Sequence, residues 1–155
     1  MTFDEAFELL IGHEGGLVDH PADPGGLTRY GISQRSYPGE NIRAMTLDRA
    51  KVLYFADYWR PAGCASVPAA ACFDIFDMAV NSGVRAAIKC LQGAVGTTQD
   101  GVLGPQTLMA AEAMDGARLA ARFNGARLQF MTDLPTWPSF SKGWSRRIAS
   151  NLMRA

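Results

Sequence analysis

A single glutamate near the N-terminus has the position that acid catalysis requires. Glu14 lies four residues after Leu10 and seven after Phe7, so the pattern places it at the end of the apolar face of a first helix. Low solvation and the negative end of the helix dipole would both raise the pKa of its carboxyl group. A carboxylic acid that stays protonated near neutral pH can protonate the leaving oxygen of a glycosidic bond. The alternative is an exposed glutamate at a helix end.

A second carboxylate follows in a loop rich in Gly, Pro and Asp. Eight residues separate Asp23 from Glu14. Two carboxylates in unequal environments are the working groups of glycoside hydrolysis. Asp23, being nearer to water, would stay ionised and hold a water molecule or stabilise positive charge on a sugar ring. An Asx turn before Pro24 is the structural alternative, and Asp19 is a rival carboxylate in the same loop.

A hydroxyl side chain and a histidine complete the polar groups of this region. Thr28 lies in a short β-prone segment, and on a hairpin strand its hydroxyl could face a cleft and orient a water molecule. The alternative is an ordinary β-prone threonine. His13 adjoins Glu14, but the offset of one residue points it to a different helix face. We therefore expect His13 to be structural or exposed.

These side chains need a helix and a hairpin to position them. Thr2 and Glu5 have the spacing of a capping box, and apolar residues then recur at helical spacing. The glycine pair at residues 15–16 is expected to end this helix. Two β-prone pieces, at residues 17–18 and 28–32, predict a small irregular hairpin.

The remainder of the chain alternates between helical patterns and turn residues. A loop is predicted over residues 97–105, where Asp-Gly and Gly-Pro pairs indicate turns. The fold class is therefore mainly α (α+β), with one small β element near the N-terminus. The helices predicted after the hairpin cover residues 47–59, 69–80, 84–95, 107–114, 116–134 and about 142–153.

The chain has the length of one ordinary domain and no overall charge. Its 155 residues contain 15 acidic and 15 basic side chains. Residues 118–155 carry seven basic side chains and only one acidic one, which suits a polyanionic partner such as an anionic cell wall. The alternative is a solvated helix face rich in Arg. Nucleic acid is not expected as a partner, because the acidic N-terminal part would repel phosphate.

The cysteines and the N-terminus bound the cellular context. Cys64, Cys72 and Cys90 have no regular spacing, so we expect reduced, part-buried thiols, with a Cys64–Cys72 bridge as the alternative. No CxxC motif or Cys/His cluster is present, so neither a metal nor a cofactor is expected. The N-terminus lacks a standard signal peptide, and no stretch approaches the ~20 apolar residues of a membrane span. We therefore expect synthesis in the cytoplasm and no stable membrane insertion.

Two stretches of the sequence resemble a known family. The string HEGGLVDHPADPGGLTRYGIS, residues 13–33, resembles the opening motif of glycoside hydrolase family 108, the phage-endolysin-like muramidases. Its Glu, Asp and Thr resemble the catalytic triad of phage-type lysozymes. The resemblance implies that Glu14 is the general acid, Asp23 the second carboxylate and Thr28 the water-positioning hydroxyl. Residues 73–111, followed by FSKGW, are similar to the predicted peptidoglycan-binding region that accompanies this family.

A polysaccharide substrate predicts aromatic and amide side chains along the cleft. Tyr30 follows Thr28 by two residues, so we expect it to share the strand face of Thr28 and to contact a sugar. Asn81 interrupts a core helix and is expected either to satisfy backbone groups there or to point into the cleft; the resemblance favours the cleft. Tyr54 and Trp59 could form the floor of one subsite, with packing in the core as the alternative.

The resemblance also implies an architecture and a reaction. We expect a lysozyme-like helical body, with residues 1–66 as the catalytic segment and 67–155 as the helical peptidoglycan-binding region, packed together as one compact domain. The expected reaction is hydrolysis, with inversion, of the β-1,4 bond between N-acetylmuramic acid and N-acetylglucosamine by a monomeric endolysin. It would act on periplasmic glycan strands after holin-type release. The alternatives are a lytic transglycosylase and a non-catalytic peptidoglycan-binding or secretion-accessory protein.

Overall fold

The chain forms two compact units, Thr2–Asp57 and Tyr58–Ala155. The structure is a computed structural model that describes residues 1–12, 17–18 and 26–154, with only the backbone described for 17–18. The predicted boundary after residue 66 stays a prediction. Among the described residues, no helix is both long enough and apolar enough to cross a lipid bilayer.

The first unit combines short helices with a small sheet. Its described elements are α1 (Phe3–Ile11), β1 (Leu17–Val18), β2 (Thr28–Arg29), β3 (Ile32–Ser33), a 3₁₀ turn (Ile42–Ala44) and α2 (Leu47–Tyr54). A π-helical turn, Phe55–Trp59, continues α2 across the boundary between the units.

Helix α1 begins as the sequence predicts and ends earlier. The Glu5 amide donates to Thr2 Oγ1 at 3.3 Å and the Thr2 amide donates to Glu5 Oε2 at 2.7 Å, which confirms the capping box. The helix ends at Ile11, because Gly12 adopts φ +59° and ψ −150°. The expectation that the glycine pair at residues 15–16 ends this helix is wrong, because the helix ends at Ile11. Glu14, expected in its last turn, lies outside the described residues.

Aromatic rings join α1 to α2 within the first unit. The ring of Phe7 meets the ring of Tyr54 edge-on at a centroid distance of 5.5 Å, and Phe3 meets Phe55 in the same way at 5.1 Å. Edge-to-face pairs of this kind are a favoured aromatic geometry. Ring packing therefore holds the first two turns of α1 beside the end of α2.

The sheet has three antiparallel strands in the order β1-β2-β3. The backbone pairs Val18 with Thr28 and Thr28 with Ser33, so β2 is central. The two-residue turn between β2 and β3 has positive φ at Tyr30 (+51°) and Gly31 (+75°), which is the pattern of a type I′ hairpin turn. The predicted small β element is confirmed, but residues 28–32 form two strands and a turn where one strand was expected.

The second unit is a bundle of five described helices. They are α3 (Ala69–Ser82), α4 (Val84–Val95), α5 (Pro105–Glu112), α6 (Gly116–Thr132) and α7 (Trp137–Leu152). Gly83, with φ +90°, separates α3 from α4 as predicted. Helix α7 begins five residues before its predicted start, because proline is well tolerated in the first turn of a helix, where Pro138 lies. The mainly α, lysozyme-like fold class is confirmed.

A buried ionic network links three helices of this bundle. Asp77 of α3 accepts hydrogen bonds from Arg127 Nη1 of α6 at 2.7 Å and from Arg147 Nε of α7 at 2.7 Å. The Asn151 amide donates to the same carboxylate at 3.1 Å. Burial would raise the pKa of Asp77, but its bonds to Arg147 and the charge of Arg127 outweigh burial and lower it.

This network occupies part of the positive charge of residues 118–155. Arg127 is 0% exposed, and both Arg127 and Arg147 form ion pairs with Asp77. Neither guanidinium group is therefore an unpaired surface charge that could bind a polyanion. A neighbouring carboxylate, Asp74, accepts from the Asn124 amide at 2.6 Å, and burial raises its pKa. Part of the basic C-terminal sequence therefore stabilises the core.

One buried amide organises the predicted loop over residues 97–105. The Gln92 Nε2 group donates to Asp100 Oδ1 at 2.7 Å and to the Val102 carbonyl at 3.0 Å, while its Oε1 accepts from the Gly101 amide at 2.9 Å. The Gln92 side chain thus satisfies two backbone groups of the loop, the Gly101 amide and the Val102 carbonyl. The three cysteines are buried free thiols, and the Cys72 thiol donates to the Cys64 carbonyl at 3.3 Å.

Candidate active site

A groove in the first unit opens beside the C-terminal end of α1. It has a volume of about 560 Å³, which lies within the range of ligand-binding clefts. Helix α1 forms one wall, the turn between β2 and β3 contributes Tyr30, and α2 contributes Leu47 and Lys51. The described lining consists of Phe7, Glu8, Leu9, Ile11, Gly12, Tyr30, Leu47 and Lys51.

The charged groups of this groove come from both helices. Glu8 lies on α1, and Lys51 of α2 donates to Asp4 Oδ1 at 2.8 Å. This hydrogen bond raises the pKa of Lys51, so its ammonium group stays protonated at neutral pH. The groove therefore has an apolar body with a few polar groups at its edge, which is the usual composition of a small-molecule or sugar site.

The two predicted carboxylates lie outside the described residues. In the sequence, Glu14 follows Gly12, the C-cap of α1, by two positions. Helix α1 ends at Ile11, so the described residues do not support the arguments from helix periodicity and helix dipole. The catalytic roles of Glu14 and Asp23 stay predictions, and Asp19 stays the alternative to Asp23 as the second carboxylate.

The hydroxyl of Thr28 lies at the start of the central strand. Its Oγ1 donates to the Gly26 carbonyl at 3.3 Å, and the side chain is half-buried. A hydroxyl has one proton and two lone pairs, so this bond leaves Thr28 free to accept a hydrogen bond from a water molecule. Its geometry is compatible with the predicted positioning role, which stays a prediction.

Tyr30 lines the groove from a turn and not from a strand. The expectation that it shares the strand face of Thr28 is wrong, because the alternation of side chains applies only to extended backbone, and Tyr30 has φ +51°. Positive φ is uncommon outside glycine and costs conformational energy at a bulky residue. The turn presents the half-buried Tyr30 ring to the groove, where the guanidinium of Arg29 lies 5.3 Å from the ring centroid.

A hydrogen bond from Tyr54 of α2 holds this turn in place. The Tyr54 hydroxyl donates to the Tyr30 carbonyl at 3.1 Å. A Cβ atom added at Gly31 would stand 2.5 Å from that hydroxyl oxygen, so only glycine fits there. This hydrogen bond and close approach together fix the position of Tyr30 at the groove.

The remaining predicted substrate contacts are buried or lie in the second unit. Tyr54 and Trp59 are each 4% exposed, and Trp59 packs edge-on against Phe76 at 5.3 Å. Core packing accounts for both, and their contact with substrate stays a prediction. Asn81 is exposed in the last turn of α3, where its Oδ1 accepts from the Ser82 hydroxyl at 3.2 Å. It does not interrupt the helix, which continues to Ser82.

Of the described groove residues, sequence reasoning predicted only Tyr30; those it missed include the charged Glu8 and Lys51 and the apolar Leu47. Leu47 and Lys51 lie four residues apart on one face of α2. That face is not distinctively apolar, so the sequence pattern does not indicate that it lines a groove. The Tyr-Gly pair between two β-prone pairs did carry a signal for a two-residue turn. Within residues 1–12 and 26–154, no group of three His, Cys, Asp or Glu side chains could hold a metal ion.

Comparisons with known proteins divide the chain into two parts. A family model described as glycosyl hydrolase 108 matches residues 7–83, and one described as predicted peptidoglycan domain matches residues 86–149. The solved structure titled "Structure of Brucella abortus SagA" is 35% identical with a TM-score of 0.87. The match covers 98% of this chain and 92% of that one. A search of curated proteins returns no match.

Proposed function

The chain belongs to glycosyl hydrolase family 108, and we propose that it is an N-acetylmuramidase of the endolysin type. The family and the peptidoglycan domain make it a glycoside hydrolase that acts on peptidoglycan. The proposal adds the bond, β-1,4 between N-acetylmuramic acid and N-acetylglucosamine, and the residues Glu14, Asp23 and Thr28. It also places the protein, as a monomer, on the periplasmic wall after release through a holin-type pore.

The observation that carries this proposal is the groove at the end of α1. An acid that follows α1 by a few residues needs a cavity beside it that admits a sugar, and the described residues form one of about 560 Å³. The groove also holds an aromatic ring, Tyr30, at a turn anchored by Tyr54. Sugar rings commonly pack on aromatic faces, so Tyr30 supports a glycan as the occupant.

The proposed reaction uses one proton donor and one activated water. Glu14 gives its proton to the glycosidic oxygen as the bond from that oxygen to the muramic acid carbon breaks. A water molecule, oriented by the Thr28 hydroxyl, forms the new bond to that carbon and loses a proton to Asp23. This arrangement inverts the anomeric centre, which requires the two carboxyl groups to lie roughly 6.5–9.5 Å apart.

The experiment compares Glu14→Gln with the wild type in hydrolysis of purified peptidoglycan. Loss of a general acid typically costs about 10²–10⁴ in rate, so we expect kcat to fall by that factor with little change in KM. Glu112→Gln, an exposed residue of α5, is the matched control and should keep full activity. Equal activity of Glu14→Gln and the wild type would remove the catalytic assignment.

Two further measurements separate the rival mechanisms and residues. Mass spectrometry of the products distinguishes hydrolysis, which adds water, from a lytic transglycosylase, which leaves an anhydro-sugar. Asp23→Asn should lower kcat strongly, whereas Asp19→Asn should not. If Glu8→Gln abolishes cleavage while Glu14→Gln does not, the acid is the groove carboxylate of α1.

A further inference from the structure

A second groove lies between α4 and α6, wholly inside the second unit. Its volume is about 370 Å³, which is within the range of ligand sites. Each helix contributes residues at spacings of three or four, so one face of α4 meets one face of α6. The described lining consists of Ala86, Lys89, Cys90, Gly93, Gln99, Ala126, Gln129, Phe130 and Asp133.

Small residues on both helices keep this groove open. The side chains of Ala86 and Ala126 are too short to fill the space between the two helices, which longer side chains would normally occupy. Gly93 lacks a side chain where a Cβ atom would lie 3.1 Å from Gln99 Nε2, so the Gln99 amide rests directly over the helix backbone. Phe130 gives the groove an apolar surface.

The groove carries one free charge of each sign. Lys89 lies on α4 and Asp133 lies at the end of α6, and neither forms an ion pair with another side chain in the described part of the chain. Asp133 is also the C-cap of α6, where the helix dipole disfavours a negative side chain. A carboxylate in that position does not stabilise its own helix, which is consistent with a role toward a ligand.

These groups match a zwitterionic peptide. The Lys89 ammonium suits a carboxylate, the Asp133 carboxylate suits an amine, and the amides of Gln99 and Gln129 can pair with peptide groups. We propose that this groove binds the stem peptide of peptidoglycan, which has free carboxylates and, at its diamino acid, a free amine. The inference rests on the proposed function, since it assigns the peptide part of the same substrate to the second unit.

Direct binding tests the groove without any cleavage. The probe is the free tetrapeptide L-Ala-γ-D-Glu-meso-diaminopimelic acid-D-Ala, titrated into the full chain by calorimetry. Lys89→Met and Asp133→Asn each remove one charged contact, and we expect each to weaken binding about ten- to hundredfold. Ala126→Phe should fill the groove and abolish binding. Arg60→Met, an exposed cation of the same unit, should bind like the wild type.

Kinetics on two substrates separate this inference from the proposed function. Lys89→Met and Asp133→Asn should raise KM on intact peptidoglycan and leave unchanged the cleavage of peptide-free glycan strands of alternating N-acetylglucosamine and N-acetylmuramic acid. No measurable binding of the tetrapeptide by the wild type, or equal affinity in the Lys89 and Asp133 variants, would overturn the inference. If the wild type cleaves neither substrate but still binds the tetrapeptide through these residues, the muramidase proposal fails and the groove assignment stands.

Discussion

At the scale of single residues, Thr28 offers the sharpest test of the water-positioning role. Its hydroxyl donates to the Gly26 carbonyl and keeps its lone pairs for water. Thr28→Val keeps the side-chain shape but removes the hydroxyl, and we expect kcat to fall at least tenfold with the fold intact. Thr28→Ser retains the hydroxyl and should recover most of the rate. Equal loss in both variants would indicate that the methyl group matters and the hydroxyl does not.

The turn that carries Tyr30 predicts an effect on stability. Gly31→Ala would place a methyl group 2.5 Å from the Tyr54 hydroxyl at φ +75°, so the free energy of unfolding should fall by about 1–3 kcal/mol. Gly39→Ala is the control, because Gly39 has open space around it and no positive φ. Urea denaturation measures both.

Removing the Tyr54 hydroxyl should relieve the steric clash that Gly31→Ala introduces. Tyr54→Phe removes the hydroxyl that the Gly31→Ala methyl group would meet, at a cost of about 0.5–1.5 kcal/mol for the lost hydrogen bond. The double variant should therefore be more stable than the sum of the two single losses predicts. Strict additivity would show that the close approach at Gly31 does not limit stability.

The sequence predicted that this region forms a small β element, but it did not predict the surroundings of the individual side chains. The β-prone residues 28–32 predicted a small β element: Thr28 lies in β2, whereas Tyr30 lies in the turn between β2 and β3. The environment of Tyr30 was missed, because the alternation rule holds only for a continuous strand and the chain turns at that residue. An aromatic at helical spacing such as Tyr54 fits either a groove or a core. Its side chain is 4% exposed and packs against Phe7, while its contact with substrate stays a prediction.

At the scale of elements, Asp77 connects α3 to α6 and α7. Replacing it by Asn leaves the fully buried Arg127 without its counter-charge, so we expect a loss of about 3–5 kcal/mol at neutral pH. Thermal unfolding followed by circular dichroism measures this loss. Glu112→Gln, exposed on α5, should have no comparable effect.

The network also predicts how stability depends on pH. The folded pKa of Asp77 is lowered, so its contribution is present above the unfolded pKa of about 3.9 and is lost as pH falls through the folded pKa. The folded pKa of Asp74 is raised, so its sign is opposite: it costs stability as pH rises through that value. Asp77→Asn should flatten the acid limb of the stability curve, and Asp74→Asn should not.

Helices were predictable where apolar periodicity was long, and their ends were not. The pattern located α3 and α4 and the Gly83 break between them. The pattern did not predict the early start of α7, because Pro138 suggests a break between α6 and the last helix. A proline is nevertheless tolerated in the first turn of a helix, where Pro138 lies. The pattern could not foresee that Gln92 holds the loop after α4, since that contact depends on tertiary position.

At the scale of the whole molecule, the contacts predict which fragments fold. The peptidoglycan-domain match begins at residue 86, yet α3 before it carries Asp74 and Asp77. A fragment of residues 84–155 would bury Arg127 without its partner, so we expect it to be unfolded. A fragment of residues 58–155 keeps the complete network and should unfold cooperatively on heating. Calorimetry distinguishes the two.

A third fragment tests the boundary predicted from sequence. Residues 67–155 keep α3 but lack Trp59, which packs against Phe76, and Cys64, whose carbonyl accepts from Cys72. We expect this fragment to fold with lower stability than residues 58–155. A fragment 84–155 that melts as cooperatively as 58–155 would contradict the importance of the network.

The separation of these partners along the chain also affects how the protein is made. Arg127 lies 50 residues after Asp77, and Arg147 and Asn151 lie 70 and 74 residues after it. At a synthesis rate of about 5–20 residues per second, α3 waits roughly 4–15 s on the ribosome before the last of these partners exists. Until α6 is made, the part of α3 that packs against α6 is uncovered, so the nascent chain is a candidate client for chaperones that bind exposed hydrophobic helices.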